Sequence, residues 1–272
     1  MLRSFLSIGI ATVFLFSPLY GRVALSQSET KDEKKEEKKD DKRPEKKSND
    51  NIKPYDDVIT SKAKSEPGLF LVHQLDDKVF YEIPTNTFGK DILWVTQLER
   101  TQTGFGFAGS PLGHRVVRWE QRGENVLLRE VTYGIRADAT DPIHNAVEAT
   151  SVESIIESFP VKAYGKDRAP VIEATSLFLS DLPEFSAKRR LNAASLDPKR
   201  SFIDKIKAFP ENIETKVLQT YRLKDDRGGG AVTVMLHHSM VKLPDEPMRP
   251  RRFDDRVAFF TESFQDYGNV KN

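Results

Sequence analysis

The chain has 272 residues, of which 38% are hydrophobic and 31% charged, and it contains no cysteine. This composition excludes a multi-span membrane protein, a wholly disordered protein and any disulfide or cysteine-zinc framework. The 42 Lys and Arg nearly balance the 41 Asp and Glu, so net charge gives no argument for nucleic-acid binding. The length fits one or two domains.

The first 26 residues have the features of a secretory signal peptide. Arg3 precedes an apolar run at residues 5–16, and Ala24-Leu25-Ser26 places small residues at the −3 and −1 positions of a cleavage site. The run is shorter than the about 20 apolar residues that a spanning helix needs. We expect a cleaved signal peptide at 1–26, export to the bacterial periplasm or extracellular space, and no stable membrane insertion. A retained N-terminal anchor is the alternative.

Residues 27–51 are dominated by charge. Between Glu29 and Lys47, nine positive and eight negative side chains are interspersed, and only Thr30 and Pro44 are uncharged. Such a segment buries no apolar surface that would offset the entropy lost on ordering. The pattern therefore predicts a disordered charged linker.

From residue 52 onward the pattern changes to short alternating apolar stretches. Residues 69–75 and 78–83 flank Asp76-Asp77, which predicts a β-hairpin with a two-residue turn. Turn-forming residues separate the further candidate strands. These strands are predicted at residues 91–99, 114–121, 125–132, 171–179, 216–223, 231–243 and 256–264.

Two segments have helical patterns. Residues 150–153 resemble a capping box, and apolar side chains then follow at helical spacing from Val152 to Phe159. Asp197-Pro198 predicts a helix start, followed by Phe202, Ile203 and Ile206. The predicted fold class is a strand-rich α+β fold with antiparallel sheets, hairpins and a few short helices.

The histidines do not have the spacing of a catalytic zinc site. None of the five belongs to an H-E-x-x-H motif, and the adjacent His237 and His238 lie in a strand-like run, where neighbours point to opposite faces. We therefore assign no metal ligand and no cofactor-binding residue, and interpret these histidines as packed or hydrogen-bonded side chains.

Other candidate motifs are also weak. The glycine-rich residues 104–113 match neither phosphate-binding fingerprint, which favours a surface loop over one that contacts a ligand or partner. The chain has no G-x-S-x-G elbow, although a catalytic triad is recognised by geometry and its presence stays open. The adjacent carboxylate pairs are typical of turns. No catalytic residue is assigned.

The densest charged cluster lies near the C-terminus, at residues 247–257. Because arginine forks pair with carboxylates in bidentate geometry, this cluster predicts either an internal ion-pair corner or a surface that docks another domain. The candidate docking residues are Arg249, Arg251, Asp255 and Arg256.

A series of ordered motifs resembles the N-terminal region of a family of large, exported bacterial zinc-dependent metalloproteases of the met-zincin type. The motifs are residues 53–55, 65–70, 81–84, 196–203, 209–214, 238–240 and 243–260. The resemblance implies two domains of unknown function, which we place at 52–103, as a small β-hairpin domain, and at 104–272, as a strand-rich domain truncated at its C-terminus. The family's H-E-x-x-H motif has no counterpart here, so zinc is expected only in the catalytic domain absent from this sequence.

The resemblance implies a non-catalytic module that packs against or assists the peptidase domain of the same full-length protein and is inactive alone. The alternative is a free-standing exported β-rich binding or scaffold protein. An in-frame H-E-x-x-H downstream of Asn272 would distinguish the two.

Overall fold

The structure, a computed structural model, describes residues 52–249 together with Asp254, Arg256 and residues 263–267. The predicted signal peptide, the charged linker and most of the strand predicted at 256–264 lie outside the described residues. The strands are β1 (Lys64–Glu66), β2 (Leu71–Leu75), β3 (Lys78–Glu82), β4 (Asp91–Arg100), β5 (Ser110–Arg122), β6 (Asn125–Val131), β7 (Ile135–Arg136), β8 (Ile155–Tyr164), β9 (Pro170–Glu173), β10 (Ala193–Leu196), β11 (Phe202–Phe209), β12 (Asn212–Leu223), β13 (Ala231–Lys242) and β14 (Gln265–Asp266). The helices are α1 (Tyr55–Val58), α2 (Ile143–Thr150), α3 (Ser176–Leu179) and α4 (Lys188–Leu191).

The predicted hairpin is confirmed as β2 and β3. Leu75 pairs with Lys78 across the turn, and Asp76 takes a left-handed backbone with φ 52°. Asp tolerates this conformation better than most residues, which explains why a two-residue turn forms here. The strands predicted around residues 91–99, 114–121, 125–132, 216–223 and 231–243 are likewise present, as β4, β5, β6, β12 and β13.

Most of the strands form one antiparallel sheet. Its order is β1-β2-β3-β9-β8-β6-β5-β4-β13-β12-β10, and β11 pairs with β12 beside β10. The short strands β7 and β14 pair separately and in parallel. Strands of the two predicted regions are interleaved in the large sheet. From the region 52–103, β3 pairs with β9 and β4 pairs with both β5 and β13, and these three partners belong to the region 104–272. The two predicted regions therefore share one sheet.

The ends of the large sheet approach each other at Gly68. The backbone N–H of Leu69 donates to the carbonyl of Phe209 at 2.7 Å, which joins the β1–β2 connection to the end of β11. A Cβ atom at Gly68 would lie 2.6 Å from both the N and the O of Phe209. Glycine thus permits the contact that nearly closes the sheet into a barrel.

The connection between β9 and β10 fills the interior. It carries α3 and α4, and its Phe185 stacks on Trp94 of β4 with ring centroids 4.2 Å apart. Gln219 of β12 donates to the carbonyl of Phe178 in the same connection at 2.7 Å. A second aromatic group surrounds Trp119 of β5, so both tryptophans are fully buried.

The helix predicted over residues 152–159 is wrong. Residues from Ile155 form strand β8, which pairs with β6 and β9, and the helix α2 precedes them. The β-branched Ile155 and Ile156 favour a strand. Pairing on both edges outweighs the helical spacing of four apolar side chains.

The helix predicted after Asp197-Pro198 is also wrong. Residues Pro198–Arg200 form a single 3-10 turn, and β11 follows as a hairpin partner of β12. Asp197 accepts from the Arg200 guanidinium at 3.0 Å instead of capping a helix.

The strand predicted over residues 171–179 is partly wrong. Only Pro170–Glu173 form a strand, and the last residues of the prediction form α3, which buries Leu177 and Phe178 inside the barrel. The described fold is thus strand-rich and antiparallel with few short helices. Among the described residues, no helix has both the length and the apolar character needed to cross a membrane.

Candidate functional site

A polar array is centred on the buried His73 and Glu82 side chains, on the outer face of the β2–β3 hairpin. Ser65 Oγ lies 2.7 Å from Nδ1 of His73, and Nε2 of His73 lies 3.3 Å from Oε2 of Glu82. Tyr55 donates to the same Glu82 oxygen at 2.9 Å. Because the Glu82 carboxylate accepts from two donors, Nε2 of His73 carries its proton and Nδ1 accepts from Ser65.

This array has the residue types and order of a Ser–His–acid triad, although the sequence has no nucleophile elbow. Burial lowers the pKa of His73 despite the neighbouring Glu82, and burial with Glu82 raises the pKa of Tyr55 to about 12. Ser65 lies on the exposed edge strand β1 and lines none of the cavities described below. The contacts hold α1 and β1 against the hairpin, which is a structural role.

His237 and His238 point to opposite faces of β13, as the sequence predicts. His238 is only 2% exposed, and its Nδ1 accepts from the Trp94 indole at 3.3 Å and lies 2.9 Å from Thr96 Oγ1. Burial lowers the pKa of His238 to about 3, and the neighbouring His237 side chain acts in the same direction. His238 is therefore a neutral core residue.

His237 faces a groove of about 540 Å³ on the outer side of the sheet. The carboxylate of Glu214 accepts there from His237 Nε2 at 2.6 Å, from Ser239 at 2.7 Å and from Asn212 at 2.7 Å. Lys216 pairs with Glu99 at 2.7 Å along the same surface. Most charges of this groove are neutralised, so it offers little attraction for an ion.

A larger cleft of about 940 Å³ lies beneath the glycine-rich loop of residues 104–113. The loop takes its shape from Gly104, Gly106 and Gly109, all with positive φ. The basic run Lys188-Arg189-Arg190 of α4 forms part of the cleft. Sequence reasoning identified the loop as a candidate but missed the basic run. The three adjacent cations of that run were the signal that could have identified it.

The histidines of the described residues do not fit a zinc site. His73 and His238 are engaged in separate buried networks, and His237 is bound to Glu214. No group of three or more His, Cys, Asp or Glu in the described part of the chain is close enough to hold a metal ion.

Comparison with known protein families gives two matches that together cover most of the chain. A domain of unknown function, DUF5118, matches residues 52–101, and a second, DUF5117, matches residues 109–272. The second match covers more than half of the chain. The chain belongs to the DUF5117 family. No curated protein and no solved structure matches it.

The two matched regions contain different candidate sites. The DUF5118 region contributes the whole polar array of Tyr55, Ser65, His73 and Glu82. The DUF5117 region contributes the cations of the larger cleft and the Glu214 cluster.

The predicted docking residues lie at the C-terminal end of the DUF5117 match. Arg251 and Asp255 are outside the described residues. Arg249 is exposed, and the exposed guanidinium of Arg256 donates to Asp254 at 2.9 and 2.6 Å. These bonds lower the pKa of Asp254. The described part of the predicted cluster is thus a solvent-facing ion pair, with Arg249 also exposed to solvent.

Proposed function

We propose that the chain is the non-catalytic N-terminal module of an exported zinc-dependent metallopeptidase. The proposal rests on one observation: ordered motifs from residue 53 to residue 260 resemble the two domains of unknown function at the start of such enzymes. The DUF5118 and DUF5117 matches occur in the same order over nearly the same residues, which supports the two-domain part of the proposal. Zinc and peptide hydrolysis then belong to a peptidase domain that this chain would contact.

Exposed apolar side chains support a contact surface near the C-terminus. Phe264 and Tyr267 flank β14, and Tyr133 and Ile135 lie on or beside β7, its pairing partner. Each of the four side chains is more than two-fifths exposed. Grouped exposed apolar side chains mark interaction sites in proteins. We call this group the β7–β14 patch.

Charged residues precede the patch in sequence. Arg249 and Arg256 precede β14 in the sequence, and we propose that they form part of the polar rim of the contact with the peptidase domain. The other predicted docking residues, Arg251 and Asp255, lie between them in the sequence. Interfaces combine an apolar centre with a polar rim, and arginine is enriched there. The proposed role is therefore to pack against the peptidase domain and assist it.

The coding sequence downstream of Asn272 gives the first test. We expect an in-frame H-E-x-x-H. A stop codon there with no such motif would contradict the proposal and favour the free-standing binding or scaffold protein.

The second test uses the polypeptide that carries both the module and the peptidase domain. Phe264→Asp is expected to loosen the contact and to speed limited proteolysis between the two, because it places a charge in the apolar centre. Phe202→Asp is the matched control, since Phe202 is an exposed aromatic on β11, which belongs to the large sheet and not to the β7–β14 pair. Equal effects of the two variants would refute the patch as the docking surface.

A further inference from the structure

The cleft beneath the glycine-rich loop has an excess of positive charge. Its lining contains five cationic side chains and two carboxylates. The cations are Arg115, Lys188, Arg189, Arg190 and Lys224, and the carboxylates are Asp181 and Glu184.

Only part of this positive charge is neutralised. Lys188 pairs with Asp181 at 3.4 Å, and Arg115 pairs with Glu130 at 2.9 Å. Arg190 donates to a neutral acceptor, the hydroxyl of Ser110, at 3.0 Å. Arg189 and Lys224 form no ion pair within the described residues. Three cations are therefore free to attract an anionic ligand.

The free cations are attached to a fixed backbone. Helix α4 ends at Asn192 in a left-handed conformation with φ 55°, and the Lys224 N–H donates to the Asn192 carbonyl at 3.3 Å. Ala193 then pairs with Leu223 as β10 joins β12. Because β10 and β12 belong to the large sheet, the backbone that carries the cationic side chains has a defined position.

Three further lining residues are apolar. Phe107, in the glycine-rich loop, is 81% exposed, and Pro111 and Leu112 of the same loop also line the cleft. Phe107 therefore leaves a large aromatic surface in water in the same cleft as the cationic groups. An occupant that carries both carboxylates and apolar side chains would satisfy both kinds of lining residue.

We propose that this cleft binds an acidic peptide segment that also carries apolar side chains. Its carboxylates pair with Arg189, Arg190 and Lys224, and an apolar side chain packs on Phe107. Arginine forks suit carboxylates, and the volume of about 940 Å³ lies within the usual range for ligand sites.

A nucleic acid fits the cleft less well. Residues 51–272 carry 31 Lys and Arg against 32 Asp and Glu, so the region has no general basic field. Glu184 within the cleft would repel a continuous polyphosphate. A peptide can place its charges at intervals and also cover Phe107. The proposal does not depend on a peptidase domain, because it concerns binding by this chain itself.

Fluorescence anisotropy of the full chain with a labelled peptide of alternating Glu and Leu tests the proposal. We expect saturable binding that weakens as salt is added. Arg189→Glu and Lys224→Glu should each weaken binding about tenfold or more, as loss of a charge-assisted contact implies. Lys205→Glu is the matched control, because it makes the same charge change on the outer face of β11, away from the cleft, and should leave affinity unchanged.

The contact with Phe107 has a separate test. Phe107→Ala should weaken binding of the Glu-Leu peptide and leave unchanged the binding of a Glu-Ser peptide of the same length, since only the first has side chains for Phe107. Absence of saturable binding, or equal losses in Lys205→Glu and Arg189→Glu, would overturn the proposal. Tight binding of polyphosphate without peptide binding would also overturn it.

Discussion

Buried His238 makes folding stability depend on pH in a predictable direction. Its Nδ1 accepts from the indole N–H of Trp94, which can only donate, so a proton on Nδ1 would place two donors against each other. Its Nε2 is buried with no hydrogen-bond partner among the described residues. The folded state therefore strongly disfavours protonated His238, and burial lowers its pKa from 6.5 to about 3.

The size of the effect follows from this pKa difference. As the pH falls below 6.5, the ordinary pKa of histidine, His238 takes up a proton in the unfolded chain but not in the folded chain. The free energy of unfolding therefore decreases. The stability is fully present above the unfolded pKa and declines until the pH reaches about 3. Each pH unit in this window costs about 1.4 kcal/mol, so His238 alone lowers the free energy of unfolding by about 2 kcal/mol between about pH 7.5 and about pH 5.

Urea unfolding followed by tryptophan fluorescence measures this effect, because both tryptophans are fully buried. His238→Asn supplies an amide oxygen that can accept from Trp94 but does not titrate. We expect this variant to lose about 2 kcal/mol less stability than the wild type over the same pH range. His114→Asn, at an exposed histidine, is the control and should keep the wild-type pH dependence. An unchanged pH dependence in His238→Asn would refute the reasoning.

Three further predictions concern closure of the sheet, the exposed patch and zinc. Gly68→Ala should lower the free energy of unfolding by about 2 kcal/mol or more, because its Cβ meets the Phe209 backbone. Gly134→Ala is the control, since its Cβ enters open space and should change the free energy of unfolding little. Equal urea midpoints for the two variants would contradict the prediction. The isolated chain should self-associate in light scattering as its concentration rises, and Phe264→Asp should reduce this self-association. A monodisperse wild-type monomer would contradict the prediction. Metal analysis of the purified chain should find no stoichiometric zinc, and one zinc per chain that is lost in His237→Ala would show the opposite.

Local signals predicted the parts of the fold that depend on neighbouring residues. The turn at Asp76-Asp77 and the alternation on either side determine the β2–β3 register, and that register places His73 and Glu82 on one face as diagonal neighbours. The polar array could thus have been foreseen from the hairpin. The face assignment of His237 and His238 followed from alternation in the same way.

Features that depend on distant pairing were not predictable. The apolar spacing in residues 152–159 fits a helix as well as a strand, and only the free edges of β6 and β9 decide between them. The barrel closure joins Gly68 to Phe209 through backbone contacts that no motif records. The larger cleft is lined by the glycine-rich loop, the basic run Lys188-Arg189-Arg190 and Lys224. These segments are distant in sequence and come together only in the folded protein.

The most direct test of the proposed module is to recover the protein from its source cells with an antibody against this chain. Peptide mapping, zinc analysis and a casein-digestion assay are then applied to the recovered material. The proposal predicts peptides that contain H-E-x-x-H, bound zinc, and digestion that a chelator abolishes. Recovery of this chain with no such peptide and no chelator-sensitive digestion would contradict it.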